Sequence, residues 1–284
     1  MYKAIFLDMD ETLLNSNKDI SEITKQILLK IKKKGIEIVL ASGRCNKSIE
    51  YIAKNRINIK DDLIRYIIST DGTMIKDLKE NKIIYQNSLS KDIVQALILN
   101  SQKFNTAFYL ITENNMYSDK RRNKSQEKYD ELYINKEFYK IENNIEKIDF
   151  KDFNFNNEKV NRILFFSKDF EALNNINKKL QEKTDIKTSF KKDNKDNYYL
   201  LLVSNEYSKA MGVIKLCKHL DIDIKNTIAF GDGDNDIEML ETVANGIGMK
   251  NAKCDLKTDK ITEFTNNEDG VARYLERMIQ NGEI

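Results

Sequence analysis

The chain has 284 residues, 47 Lys and Arg against 45 Asp and Glu, and a formal net charge of +2 although 32% of its residues are charged. That length suits two domains, and so even a balance excludes a global field that would draw in nucleic acid or an anionic membrane surface. No stretch approaches the roughly 18 apolar residues of a membrane span, the opening MYKAIFLDMDE lacks signal-peptide anatomy, and Cys45, Cys217 and Cys254 lack metal-ligand spacing, so we expect a cytoplasmic protein with reduced thiols.

Residues 3–9, KAIFLDM, form a short apolar run that stops at a carboxylate, the pattern of a buried parallel strand. Ser21 can cap a helix in which Ile23, Ile27, Leu28 and Ile31 keep helical spacing, the last turn is KKK and Gly35 ends the run. EIVLAS and, after another short helix, YIIST at 66–70 give the second and third strands. The same grammar returns late: a helix from about Ser208 to Leu220, the strand NTIAF, a helix from about Asn235, the short apolar GIGM and a closing helix around GVARYLERMI. Alternating strands and helices predict one parallel sheet built by both ends of the chain, with helices on its faces.

Between these ends, residues 83–203 read differently, with a helix near 91–102, TAFYLIT, a basic and tyrosine-rich stretch, NRILFFS, a helix near 169–183 and NYYLLLVS. This predicts an inserted α+β domain with its own sheet, whose polar middle, 113–145, is expected to be partly mobile. The chain has no Pro, which removes the usual turn punctuation.

Open parallel sheets bind ligands outside the carboxyl ends of their strands, and four such ends here carry polar groups: DMDET, ASGR, STDGT and GDGDND. Asp232, Asp234 and Asp236 have the spacing of an EF-hand start, but Ile237 and Val243 stand where that loop needs Gly and Glu. Helix capping would account for one or two of these acids but not for DMDET. A divalent cation held between two strand ends accounts for both, because a hard cation with oxygen ligands neutralises crowded carboxylates.

DMDETLL, ASGR, YSKAMGVIKLCKHL, GDGDNDIEML, GIGMKNA and NNEDGVARYL, in this order, resemble the haloacid dehalogenase superfamily, specifically its Cof-type (subclass IIB) sugar phosphatase-like group. The resemblance implies an α/β fold: a Rossmann-like parallel-sheet core from residues 1–82 and 204–284 and an inserted α+β cap of type C2 at 83–203. It implies a Mg²⁺-dependent phosphatase of a small phosphorylated metabolite, such as a sugar phosphate, nucleotide or cofactor phosphate, working through an aspartyl-phosphate. Asp8 would be the nucleophile and Asp10 the general acid and base. Ser42 and Gly43 would bind the phosphoryl group together with Asn235, and Lys209 would set a cation against its charge. Asp8, Asp10, Asp232 and Asp236 would make up the metal site. Asn251 matches a position that touches phosphate or the residues holding it. Arg44 fits either a phosphate contact or an ion pair, and Arg121, Arg122 and Arg162 of the cap are candidate substrate contacts. The same resemblance allows a phosphosugar mutase, and a non-catalytic phospho-ligand sensor stands as the reading from another class.

Two positions depart from the pattern. Glu11 replaces the Gly of the usual DxDGT and sets a further negative charge by the phosphate site; Asp71 in STDGT replaces a common Asn and, ionised, only accepts hydrogen bonds. His219 reads as a partly exposed structural residue, and Asp234 as exposed. Interspersed acids in KRRNKSQEKYDELY argue against nucleic acid. Oligomeric state is left open.

Overall fold

A computed structural model describes residues 1–57, 62–101, 106–113, 115–119, 145–156, 158–181, 186–192 and 197–284. Arg121, Arg122 and most of the 113–145 stretch lie outside the described residues. In chain order the strands are β1 (Ala4–Leu7), β2 (Glu37–Ala41), β3 (Tyr66–Ser69), β4 (Met74–Asp77), β5 (Lys82–Gln86), β6 (Ala107–Thr112), β7 (Met116–Asp119), β8 (Ile145–Ile148), β9 (Val160–Ser167), β10 (Ile186–Lys192), β11 (Tyr198–Ser204), β12 (Thr227–Gly231) and β13 (Asn245–Gly248). The α-helices are α1 (Glu22–Lys33), α2 (Asn46–Ile52), α3 (Lys91–Ser101), α4 (Phe170–Leu180), α5 (Lys209–His219), α6 (Ile237–Thr242) and α7 (Gly270–Gln280). Among the described residues, no helix is long and apolar enough to cross a membrane.

The chain divides into two compact units, Met1–Gln86 with Ser208–Ile284, and Asn87–Tyr207. The first is built on a seven-stranded sheet in the order β13-β12-β1-β2-β3-β4-β5. Its first five strands run parallel, and β4 and β5 add an antiparallel edge. Because Lys82–Gln86 pairs with β4, this unit runs on to Gln86 instead of ending at residue 82, and it resumes at Ser208 instead of 204.

Every residue of β1 is buried, and alternation sends its side chains to opposite faces. Ile5 and Leu7 join Ile38, Leu40, Ile228 and Phe230 beneath α1 and α7. Ala4 and Phe6 join Val39, Ala41 and Ala229 beneath α5 and α6. Each such Leu, Ile or Phe contributes roughly 1.5–3 kcal/mol by leaving water. Ser21 caps α1 by accepting from the Thr24 amide at 3.0 Å, and Gly35, at φ 79°, follows the helix end. Ile27, Leu28 and Ile31 are buried as their spacing predicts, whereas Ile23, in the first turn, is 55% exposed.

The second unit has a six-stranded sheet in the order β10-β11-β9-β6-β7-β8, antiparallel except for the β7–β8 pair. One face packs Phe108, Leu110, Phe165, Leu200 and Leu202 against Val94 of α3 and Leu173 and Ile176 of α4. The other carries a smaller group around Tyr109 and Phe166. Each unit therefore has its own core.

Candidate active site

Register brings the acidic strand ends of the first unit together. Leu7 pairs with Leu40 on one side and with Phe230 on the other, so Asp8 leaves β1 level with the ends of β2 and β12. The Asp8 amide donates to the Phe230 carbonyl at 3.0 Å. Asp8, Asp232 and Asp236 each offer a carboxylate oxygen, all within 4.8 Å of one another. This is the switch point of the sheet: from β1 the chain builds outward through β2 and β3 on one flank, and β12 and β13 fill the other.

Lys209 reaches this group from the first position of α5. Ser208 caps that helix, accepting from the Met211 amide at 3.2 Å. The Lys209 ammonium is wholly buried and donates to Asp8 Oδ1 at 2.5 Å and to Asp236 Oδ1 at 2.6 Å. Burial alone would lower its pKa, but the charges of Asp8 and Asp236 outweigh burial and raise it, so the amine stays protonated. The Asp8 carboxyl is pushed well above its ordinary value by burial, with Asp236 and Asp232 adding to the rise and Lys209 opposing it.

Asp236 is engaged on both oxygens. Oδ2 accepts the amides of Asp232 and Gly233, each at 3.0 Å, which folds the β12–α6 loop around it. Asp232 accepts from Thr12 Oγ1 at 2.8 Å, and its carboxyl is raised chiefly by burial. Asp234 is exposed. Three carboxylates facing one ammonium leave negative charge uncompensated, and an all-oxygen donor set suits a hard divalent cation. The residues present fit such a group.

Asp10 faces a different partner. Arg44 grips it with two hydrogen bonds, Nε and Nη2 each at 2.7 Å, and spends Nη1 on Ser48 at 3.0 Å. Lys18 adds a contact at 2.9 Å. Burial works to raise the Asp10 pKa, yet Arg44 and Lys18 outweigh it and hold the carboxyl below its ordinary value. Of the two readings of Arg44, the structure shows the ion pair: the residue is 2% exposed and lies across Asp10. Bidentate pairing fixes orientation as well as charge.

Ser42 is buried behind β2 and accepts the Arg44 amide at 3.2 Å. Asn235, exposed beside the β12 end, donates to Asp71 Oδ1 at 2.8 Å. Asn251 ties three loops together, donating to the Glu11 carbonyl at 2.7 Å and accepting the Asn266 amide at 3.0 Å, while Asn266 donates to the Leu14 carbonyl at 2.9 Å. Arg162 sits half-buried on β9 of the second unit. His219 is exposed at the end of α5. Sequence reasoning missed Thr12, Lys18 and Asn266. Thr12 lies inside DMDET and could have been found by its nearness to the acids, and Asn266 opens the quoted NNEDGVARYL stretch; Lys18 carries no such signal. A cavity of about 380 Å³ in the second unit, lined by Asn87, Ser90, Lys91, Phe155 and Glu158 among others, holds none of the candidate residues.

A central strand flanked on both sides and ending in a buried aspartate, faced by a lysine and two further aspartates, defines the class as an α/β enzyme with an acidic site for a hard cation at the ends of its strands. Residues 5–275 match the family of haloacid dehalogenase-like hydrolases, and the chain belongs to it. It is 31% identical to "Putative phosphatase BU028/BU029" of Buchnera aphidicola subsp. Acyrthosiphon pisum, across 98% of this chain and 97% of that one. A haloacid dehalogenase-like hydrolase from Bacteroides thetaiotaomicron superposes with a TM-score of 0.80 at 27% identity, covering 98% of this chain and all of that one. The fold is also that of the subclass IIB sugar phosphatase BT4131, with a TM-score of 0.73 at 24% identity over 99% and 100% of the two chains.

Proposed function

We propose that the protein is a Mg²⁺-dependent phosphatase that releases inorganic phosphate from a small phosphorylated metabolite through an aspartyl-phosphate on Asp8. The observation that carries this reading is the Asp8 carboxylate, buried at the end of the central strand between Lys209 and the Asp232–Asp236 pair. Family membership and the phosphatase name of the Buchnera relative support it.

In the first half-reaction an Asp8 oxygen bonds to phosphorus, the ester P–O bond breaks, and Asp10 gives its proton to the departing oxygen. In the second, Asp10 takes a proton from water, whose oxygen bonds to phosphorus and frees Asp8 with phosphate. Asp8, Asp232 and Asp236 would hold Mg²⁺, which supplies positive charge against the incoming dianion. Lys209 sets a second positive charge against it, and Ser42, Gly43 and Asn235 bind the phosphoryl oxygens. The Arg44 clamp favours ionised Asp10, which suits the step that takes a proton from water and opposes the step that gives one, so acid catalysis in the first half-reaction requires the clamp to loosen.

The test is hydrolysis of an aryl phosphate by the full chain, with and without Mg²⁺, alongside Asp8→Asn. We expect phosphate release that needs the metal and falls by at least about a thousandfold in the variant. Turnover untouched by either change would overturn the assignment. Assaying a hexose 1-phosphate for isomer as well as phosphate separates hydrolysis from mutase chemistry.

A further inference from the structure

After β3, three consecutive residues turn left-handed: Thr70 at φ 51°, Asp71 at 48° and Gly72 at 96°. Glycine adopts this region freely and Asp at modest cost, whereas a β-branched residue such as Thr there is an outlier held by its surroundings. Those surroundings are visible. The Thr70 amide donates to the Arg44 carbonyl at 2.8 Å and the Asp71 amide to the Ser42 carbonyl at 3.1 Å. Gly72 lies so close under α5 that an added Cβ would stand 1.9 Å from the Ser208 carbonyl oxygen.

The turn directs the Asp71 carboxylate, 7% exposed, between two groups assigned above to phosphate. Oδ1 accepts from Asn235 Nδ2 at 2.8 Å. Oδ2 packs over Gly43, where an added Cβ would be 2.9 Å away. Its charge also acts on Lys209.

A carboxylate does two things here that a neutral side chain of the same shape does not. Being acceptor-only, it fixes which end of the Asn235 amide faces it and so sets the plane of the second N–H. It also adds a negative charge to those of Asp8 and Asp236 that act on Lys209, and an arriving dianion meets its repulsion.

Resting on the phosphatase reading, we propose that Asp71 is a positioning residue that orients Asn235 while its charge loosens the hold of the Ser42–Gly43–Asn235 pocket on phosphate, favouring release of the product. Asp71→Asn keeps the acceptor and shape but removes the charge. Asp71→Gly removes both and suits the left-handed backbone.

The experiment is calorimetric titration of the full chain with inorganic phosphate in Mg²⁺, for the native protein and both variants, together with kcat and KM on an aryl phosphate. We expect Asp71→Asn to bind phosphate about three- to tenfold more tightly, and Asp71→Gly, in which Asn235 loses its partner as well, to bind less tightly than Asp71→Asn and to lose about tenfold or more in kcat. A purely structural role would weaken binding in both. Affinity in Asp71→Asn equal to or weaker than native, or phosphate bound by none of the three, overturns the proposal. Should Asp71→Asn fail to fold, Asp71→Ser, which also removes the charge and keeps an acceptor, takes its place. A native protein that binds phosphate but hydrolyses no ester would refute the phosphatase reading, while the titrations would still decide the effect of Asp71.

Discussion

Lys209 holds together acids that would otherwise repel, with Asp8 and Asp236 both bonded to its buried ammonium. Replacing it by Met leaves buried carboxylates uncompensated, at a cost of about 3–5 kcal/mol. Urea unfolding in EDTA checks this, and Mg²⁺ should then stabilise the variant more than the native chain. Glu11 stands at φ 60°, which explains why glycine is usual in that motif; its side chain makes a 3.7 Å contact with Lys18 that is partly exposed on both sides. Glu11→Gly should therefore raise stability by about 0.5–1 kcal/mol, seen as a higher melting temperature. At the far end of the sheet, Asp77 accepts from Arg65 Nε at 3.0 Å and Nη2 at 2.8 Å. Burial works to raise the Asp77 pKa, but these bonds, together with the amides of Glu80 and Lys79, outweigh it and lower the value. The stabilisation is thus full above about pH 4 and lost as the pH falls through the lower folded-state value. Asp77→Asn should cost about 1 kcal/mol at pH 7, and its deficit should vanish in unfolding curves near pH 2. The gathering of Asp8 and Asp232 was legible because both carboxylates stand at the tips of apolar runs; Lys209 entered only through its place in the family's order of motifs. The Arg44–Asp10 clamp and the reach of Lys18 were not legible, since rotamers and long-range approach decide them.

At the scale of elements, α5 owes its placement to Ser208 and Gly72. The Ser208 cap is worth about 1 kcal/mol, and because Lys209 is the next residue, Ser208→Ala should lower both melting temperature and aryl phosphatase rate. The helix start, its cap and its length could be read from the sequence, as could the parallel strands with their continuous apolar runs. The β4–β5 pairing could not. KIIYQ is short, its neighbours lack Pro or Gly, and nothing local says whether it continues one sheet or opens the next. The left-handed run at 70–72 was equally hidden, because Thr70 and Asp71 are held by bonds to the Arg44 and Ser42 carbonyls that their own neighbours do not foretell.

For the whole molecule, separate cores mean that damage to one unit need not reach the other. Phe165, wholly buried in the second unit, when changed to Ala should cost that unit about 3–5 kcal/mol. Magnesium titration should still report binding at the Asp8 group if the site is self-contained. The order of the first sheet has another consequence, for synthesis. Until the ribosome has delivered residue 231, β1 lacks the neighbour it needs on one flank, so every nascent chain carries a long-lived open strand edge of the kind that recruits other chains. Polypeptides released early, anywhere between residues 86 and 226, should accordingly be found in the insoluble fraction.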